Sequence, residues 1–529
     1  MQYNSKGLKI GLNRKSLFKI FIFITIVTTL QACANMLAPT GGNKDNFSPK
    51  IVKSIPENYS KNFTGKKIEI EFDEYIVLKD IQNELIVSPG NIETEVKKSG
   101  KKIIVHFKKD LERNTTYILN FGNSISDYTE SNINKELKFI FSTGNIIDSL
   151  NISGRIINAY KTNAVKDAVV CLYTDVSDDS VIYKSKPTYS TKTDKDGNFL
   201  FTNLKENNYK IISLVETNSN KIYDSQEEEL SYIDTVIKLK KNLDLNILKS
   251  FIEIPNNVKI TDKKINYNKV DLILNKKYAN VKFIKIDPLI DTIVLNKTND
   301  TIGLYYKQKI DSSEFILNYD DTKNDTLKFK FNKNLKKKNL IIEIKTKNDT
   351  DKIIINSNNK INLINKDSIL LYEDSSYVNY TFEKKLNSII LNYDFNPNKK
   401  YHILIKDSAI VDYQGQKNKS IKNNIEFYKE EEFGIIELKF SGETKNKLIQ
   451  LINEKDITIK EIDLNKINTI KINKLNPGNY NIRIIDDINR NGKWDTGNYI
   501  KRIQPEPVEY YKESIKIRAN WELELEINL

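Results

Sequence analysis

Histidine and cysteine are nearly absent, two of each in 529 residues, and Met and Trp are as rare. That count leaves too few soft ligands for any zinc site. A Ser-His-Asp triad would have to use His106 or His402. Both stand in alternating runs, Ile104-Val105-His106-Phe107 and Tyr401-His402-Ile403, with no motif around them. The G-x-S-x-G elbow, H-E-x-x-H, the Walker loop and the dinucleotide glycine fingerprint are all missing. Carboxylates are plentiful, but Asp73-Glu74, Glu227-Glu228-Glu229 and Glu430-Glu431-Glu432 read as solvated turns or edges rather than a paired catalytic set. No catalysis is expected. Lys and Arg outnumber Asp and Glu by 83 to 70, a net +13, but the lysines are scattered among Asn and Ile. The short run Lys336-Lys337-Lys338 reads as a solvated edge, so no nucleic-acid partner is expected.

Only one apolar segment could meet a membrane, and it opens the chain. Lys6, Lys9, Arg14 and Lys15 precede Ile20 to Leu30, a stretch too short to span a bilayer comfortably. Leu30-Gln31-Ala32-Cys33 follows, and it resembles a bacterial lipobox. That resemblance implies cleavage before Cys33 and acylation of its thiol. Residues 1–32 are then a signal peptide and 33–48 a flexible tether rich in Pro, Gly and polar residues. The expected address is the cell envelope, anchored to the outer membrane by lipid, on either face. Cys171, in Ala168-Val169-Val170-Cys171-Leu172-Tyr173, is left without a disulfide partner and reads as a buried strand residue.

Beyond the tether the pattern has period two. Lys67-Ile68-Glu69-Ile70-Glu71-Phe72 alternates as a half-buried strand should, and similar runs recur to the C-terminus with no capped, amphipathic helix between them. The fold class expected is all-β. Phe72-Asp73-Glu74-Tyr75-Ile76, Asn114-Thr115-Thr116-Tyr117, Ile125-Ser126-Asp127 and Phe141-Ser142-Thr143-Gly144 resemble the SbsA-type bacterial Ig-like domain, and Ala38 to Asp45 is similar to the tether of Gram-negative lipoproteins that carry it. The run from Ile152-Ser153-Gly154 through Asp194-Lys195-Asp196-Gly197 to Tyr209 resembles transthyretin-like modules related to carboxypeptidase regulatory domains. The resemblances imply β-sandwiches without activity of their own.

Both modules recur. Leu204–Asp224 aligns without a gap to Leu475–Asp495, and Tyr117–Tyr128 is echoed, with one insertion, by Tyr401–Tyr413. The expected order is Ig-like at 49–147, transthyretin-like at 148–240, a β-rich middle at 241–340, a second Ig-like domain at 341–430 and a second transthyretin-like module at 431–529.

Three features carry possible chemistry. Asp487-Ile488-Asn489-Arg490-Asn491-Gly492-Lys493-Trp494-Asp495 resembles the first nine positions of a calcium loop, so Asp487, Asn489, Asn491, Lys493 and Asp495 are candidates for a Ca²⁺ site. An Asx-rich turn is the competing reading. The earlier copy (Glu216, Asn218, Asn220, Asp224) has Lys221 in place of Gly492 and reads as a turn. Loop aromatics Trp494, Tyr499, Tyr510, Tyr511 and Trp521 could stack on glycans or meet envelope proteins. Finally, Asp-Ser/Thr-aliphatic triplets from Asp148-Ser149-Leu150 to Asp407-Ser408-Ala409 resemble an O-glycosylation acceptor of some periplasmic proteins.

Overall fold

The computed structural model describes residues 45–529 except 91, 136, 256–257, 268, 278–281, 286–287, 297–299, 307–311, 319–323, 331–335, 337 and 348–351. The leader, Cys33 and most of the tether therefore lie outside the described residues, as does Lys337. Within them the regular structure is nearly all strand, with single α-helical turns at Ile81–Glu84 and Val181–Lys184 and 3-10 turns at Lys366–Ser368 and Glu430–Glu432. Among the described residues no helix is long and apolar enough to cross a membrane.

The first module stacks a four-stranded sheet (Ile51–Ile55, Lys67–Phe72, Lys102–Phe107 and Thr94–Ser99, in that order) on a three-stranded one (Ile86–Ser88, Thr116–Asn120, Lys138–Ser142). The alternation decides the faces: Ile68, Ile70 and Phe72 are buried, while Lys67, Glu69 and Glu71 point outward. Each such apolar side chain contributes about 1.5–3 kcal/mol on burial. Tyr117 lies in that core and its hydroxyl accepts the Glu112 N–H at 2.8 Å, pinning the preceding loop. The fourth module repeats the device, with the Tyr401 hydroxyl accepting the Asn396 N–H at 2.8 Å.

The second module extends past the expected boundary at 240. Strand Leu243–Ile252 pairs parallel with Leu150–Asn158 and antiparallel with Glu229–Tyr232, completing the sheet. Its alternating apolar residues have nowhere else to be covered, so the module closes at Ile252. The turn Asp194–Gly197 needs its glycine: φ is +81° and a Cβ there would stand 2.4 Å from the Ile156 carbonyl oxygen.

The C-terminal module has the same wiring. Gly434–Ser441 pairs parallel with Glu522–Asn528 and antiparallel with Thr469–Leu475, as Leu150–Asn158 pairs with Leu243–Ile252 and Asn198–Leu204. The duplication reaches single residues. Tyr209 donates to the Lys205 carbonyl and Tyr480 to the Asn476 carbonyl, both at 2.8 Å. Ser219 and Arg490 both have φ +59°, while Lys221 (φ +62°) follows Gly492 (φ +75°). Between these modules, the middle segment forms two further antiparallel sheets around Val270, Leu272, Leu304 and Tyr306.

Candidate functional site

The loop that carries the calcium-like spacing is closed by its own hydrogen bonds. Asp487, almost fully buried, accepts the N–H groups of Asn491 (3.0 Å) and Gly492 (2.8 Å), which the left-handed Gly492 brings round. Asn489 and Asn491 both donate their side-chain amides to Asp495, and the Lys493 ammonium stands 3.6 Å from the same carboxylate. Glu506, which the sequence reading missed, closes the ring. It accepts Ile488 N–H at 2.8 Å and Asp495 N–H at 2.9 Å, one on each oxygen. Burial pushes its carboxyl above the usual range. The five sequence candidates are thus gathered in one loop, with Asp487 and Glu506 engaged by backbone donors.

The earlier copy is built the same way with one difference. Glu216 accepts the Lys221 N–H, and Asn218 and Asn220 donate to Asp224. Glu228 takes the position of Glu506: its Oε1 accepts Thr217 N–H at 3.3 Å, Thr217 being the residue aligned with Ile488. The triple-glutamate run is therefore not a solvated edge. Glu228 is fully buried, and Glu229 accepts from Asn158 Nδ2 and Ser250 Oγ. Sequence could have pointed to Glu506 as the first acid after Asp495, eleven residues on, but not to Glu228, since Glu227 comes first after Asp224. Among the described residues, no three or more His, Cys, Asp or Glu side chains are grouped so as to hold a metal ion.

The chain just beyond Asp495 docks on the second module. Thr496 Oγ1 donates to the Ile252 carbonyl at 2.7 Å, and the Tyr499 N–H donates to Glu253, which also accepts the Tyr223 hydroxyl at 2.9 Å. The Tyr499 ring joins the core of Tyr173, Tyr223, Tyr232 and Phe251, meeting Tyr232 edge-on at 5.1 Å. A Cβ on Gly497 would stand 2.5 Å from the Phe251 ring, so only glycine lets this loop approach the strand Leu243–Ile252. Arg502 pairs with Asp179 at 2.9 Å, and Gln504 donates to the Tyr232 carbonyl. From the other side, Tyr160 of the second module lies between the Trp494 ring (4.8 Å) and the buried Arg483 guanidinium (4.1 Å), and donates its hydroxyl to Gln450 at 2.9 Å. Arg483 also holds Asp456, Gln450 and the Tyr510 hydroxyl.

This corrects the reading of the loop aromatics. Trp494 and Tyr499 are inside the inter-module contact and Tyr510 lies against Arg483; only Trp521, half exposed and covered by Arg518 at 4.4 Å, faces solvent broadly. Cys171 is fully buried and burial pushes its thiol far above the usual range, so it is no nucleophile. His402 stacks on Tyr372 at 4.4 Å. A cleft of about 840 Å³ between the first two modules is lined by Lys108, Lys166, Lys186 and Lys192 together with Glu93 and Glu95, and Lys192 pairs with Glu84 across it. That mixture of signs selects no class of ligand. The triplet hydroxyls of Ser149, Thr235 and Ser408 are exposed.

Among known families, one matches, and it covers the first module. Residues 45–143 match the family model of a bacterial Ig-like domain, so the chain contains one. No curated protein matches the sequence. Among solved structures, the Bacillus anthracis TIE protein is similar at 11% identity and a TM-score of 0.14, over 98% of this chain and 79% of its own. BcpA, the major pilin subunit of Bacillus cereus, gives 10%, 0.14, 72% and 99%, and the S-layer protein rSbsC 9%, 0.16, 68% and 64%. TM-scores this low mark no common overall arrangement.

Proposed function

We propose that the protein is a non-catalytic scaffold of the bacterial cell envelope, anchored to the outer membrane through lipid on Cys33. The tether at 33–48 leads directly into the bacterial Ig-like domain, and two transthyretin-like modules further along grip one another. The observation that carries the reading is that grip. The stretch 494–504, whose aromatics looked free to meet a ligand, is packed against the second module, which suits a chain whose task is to keep its shape. Its partners are other envelope proteins or glycans, met on the remaining module faces. The test is fractionation and intact mass of the native protein beside Cys33→Ala. Membrane-bound material carrying acyl chains, released by the substitution, supports the reading. A cytosolic species with its leader uncut, or membrane association that survives Cys33→Ala, overturns it.

A further inference from the structure

The end of the first module that the tether enters carries three bare aromatic rings. Phe47, Tyr75 and Tyr128 are 71%, 62% and 69% exposed. They lie together. The Tyr128 N–H donates to the Tyr75 carbonyl at 3.0 Å, one step beyond the ladder in which Ile76 faces Asp127, so the two tyrosines stand opposite each other on one side. Phe47 is tied to the same place from two directions. Asn132 Nδ2, in the turn after Tyr128, donates to the Asp45 carbonyl at 2.9 Å, and the Lys50 N–H donates to the Asp73 carboxylate at 2.8 Å. The turn itself is fixed, because fully buried Asp127 accepts the N–H groups of Glu130, Ser131 and Asn132. Two of the rings carry an ammonium, Lys50 over Phe47 and Lys101 over Tyr75, each at 5.5 Å. Apolar rings gathered at one exposed spot mark a contact surface.

We propose that this end of the first module docks on the surface of the bilayer, Phe47, Tyr75 and Tyr128 entering the headgroup layer of zwitterionic lipid. The inference rests on the lipid anchor at Cys33 argued above. Eleven residues, 34–44, separate that cysteine from Asp45. Even drawn out straight they keep the rings within about 40 Å of the anchor. Aromatic side chains suit the interface, since the ring takes the apolar depth while the tyrosine hydroxyls and the flanking ammonium groups stay among the headgroups. Charge selects the lipid. Lys50 and Lys101 share this end with Asp45, Asp73, Glu74 and Glu130, and burial with the charges of Asp127, Asp73, Asp45 and Glu130 pushes the Glu74 carboxyl up. An anionic surface would add to that repulsion, and a zwitterionic one does not. Three rings are a second signal beside the lipid, not an anchor by themselves, so the contact lapses without Cys33.

The experiment couples the mature chain through the Cys33 thiol to a maleimide lipid in phosphatidylcholine vesicles, Cys171 being too buried to react. The coupling supplies the anchor whether or not the cell acylates Cys33, so failure of the anchoring is read separately, as a native Cys33 without acyl chains. Tyr128→Trp then reports depth through quenching by lipids brominated on their acyl chains, with the emission of Trp494 and Trp521 in wild type as the baseline. The added emission should be quenched at least about twofold. That quenching should return to baseline when Phe47→Ser and Tyr75→Ser are added, and weaken in vesicles containing anionic lipid. All three positions are exposed, so unfolding of the variants should match wild type. No quenching beyond the baseline, quenching indifferent to the other two rings, or quenching that strengthens with anionic lipid would each overturn the assignment.

Discussion

The carboxylate of Glu253 accepts the backbone N–H of Tyr499, 246 residues further along the chain. The contact joins two copies of one module, and the Tyr499 ring completes a core that otherwise belongs to the second module alone. Truncating such a ring typically costs about 3–5 kcal/mol in a core. Tyr499→Ala should therefore weaken the second module's unfolding transition by ~2–4 kcal/mol, and calorimetry of the full chain reads it. A shift within ~0.5 kcal/mol would mean that the ring is not packed there.

Arg483 is the buried hub on the other side of the contact, bonded to Asp456, Gln450 and Tyr510. Arg483→Met removes every one of these donors, and Asp456, which keeps some exposure, can fall back on water. The expected cost is ~2–3 kcal/mol in urea unfolding, below the loss for a fully buried pair. Loss of the Tyr160 stacking should also loosen the two modules from each other.

Lys360 joins the middle segment to the fourth module, bonding Asp291 and Thr292 at 2.6 Å each and lying 4.1 Å over the Tyr413 ring. That ammonium, with the Thr292 hydroxyl, holds the Asp291 carboxyl down at about 2. The folded chain therefore binds fewer protons here than the unfolded one. The stabilisation is complete above the ordinary aspartate range and is lost as pH falls through about 2. Melting curves taken from about pH 5 down to about pH 2 should fall more steeply for wild type than for Lys360→Met, in which the pair is already broken. Parallel slopes would contradict the pairing.

Glu228, Glu216 and Glu506 work in the opposite sense. Burial raises all three carboxyls, so the folded chain takes up protons more readily. Their contribution is complete below the ordinary glutamate value and is lost as pH rises through the raised one. Stability of the second module should decline across that window in melting curves, and a pH-independent module would contradict it.

Tyr117 and Tyr401 perform the same task in the first and fourth modules. Tyr117→Phe loses one bond to Glu112 N–H and should cost ~1 kcal/mol. Tyr401→Phe should cost ~1–2 kcal/mol, since Glu373 loses a donor as well. Equilibrium unfolding measures both, and a reversed order would contradict the assigned bonds.

Strand faces were legible in the sequence wherever one side meets a core, as at Lys67–Phe72, because a period of two leaves no choice of face. The duplication was legible too, since the tyrosine anchors and the loop asparagines recur at the same offsets, even though the left-handed positions carry Ser219 and Lys221 in one copy and Arg490 and Gly492 in the other. The extent of the second module was not, because Leu243–Ile252 is covered by strands nearly a hundred residues earlier. Nor was the fate of Trp494 and Tyr499: an aromatic on a loop looks the same whether it meets a sugar or another module. Glu228 was hidden for a similar reason, its two acidic neighbours making a buried residue look solvated.

Hydrogen exchange over residues 494–504 of the intact protein tests most directly whether the two copies grip each other. The amide of Tyr499 is expected to exchange roughly a hundredfold or more slowly than a free loop amide, with protection lost in Glu253→Ala. Exchange at the free-loop rate in wild type would contradict the contact and, with it, the closed scaffold.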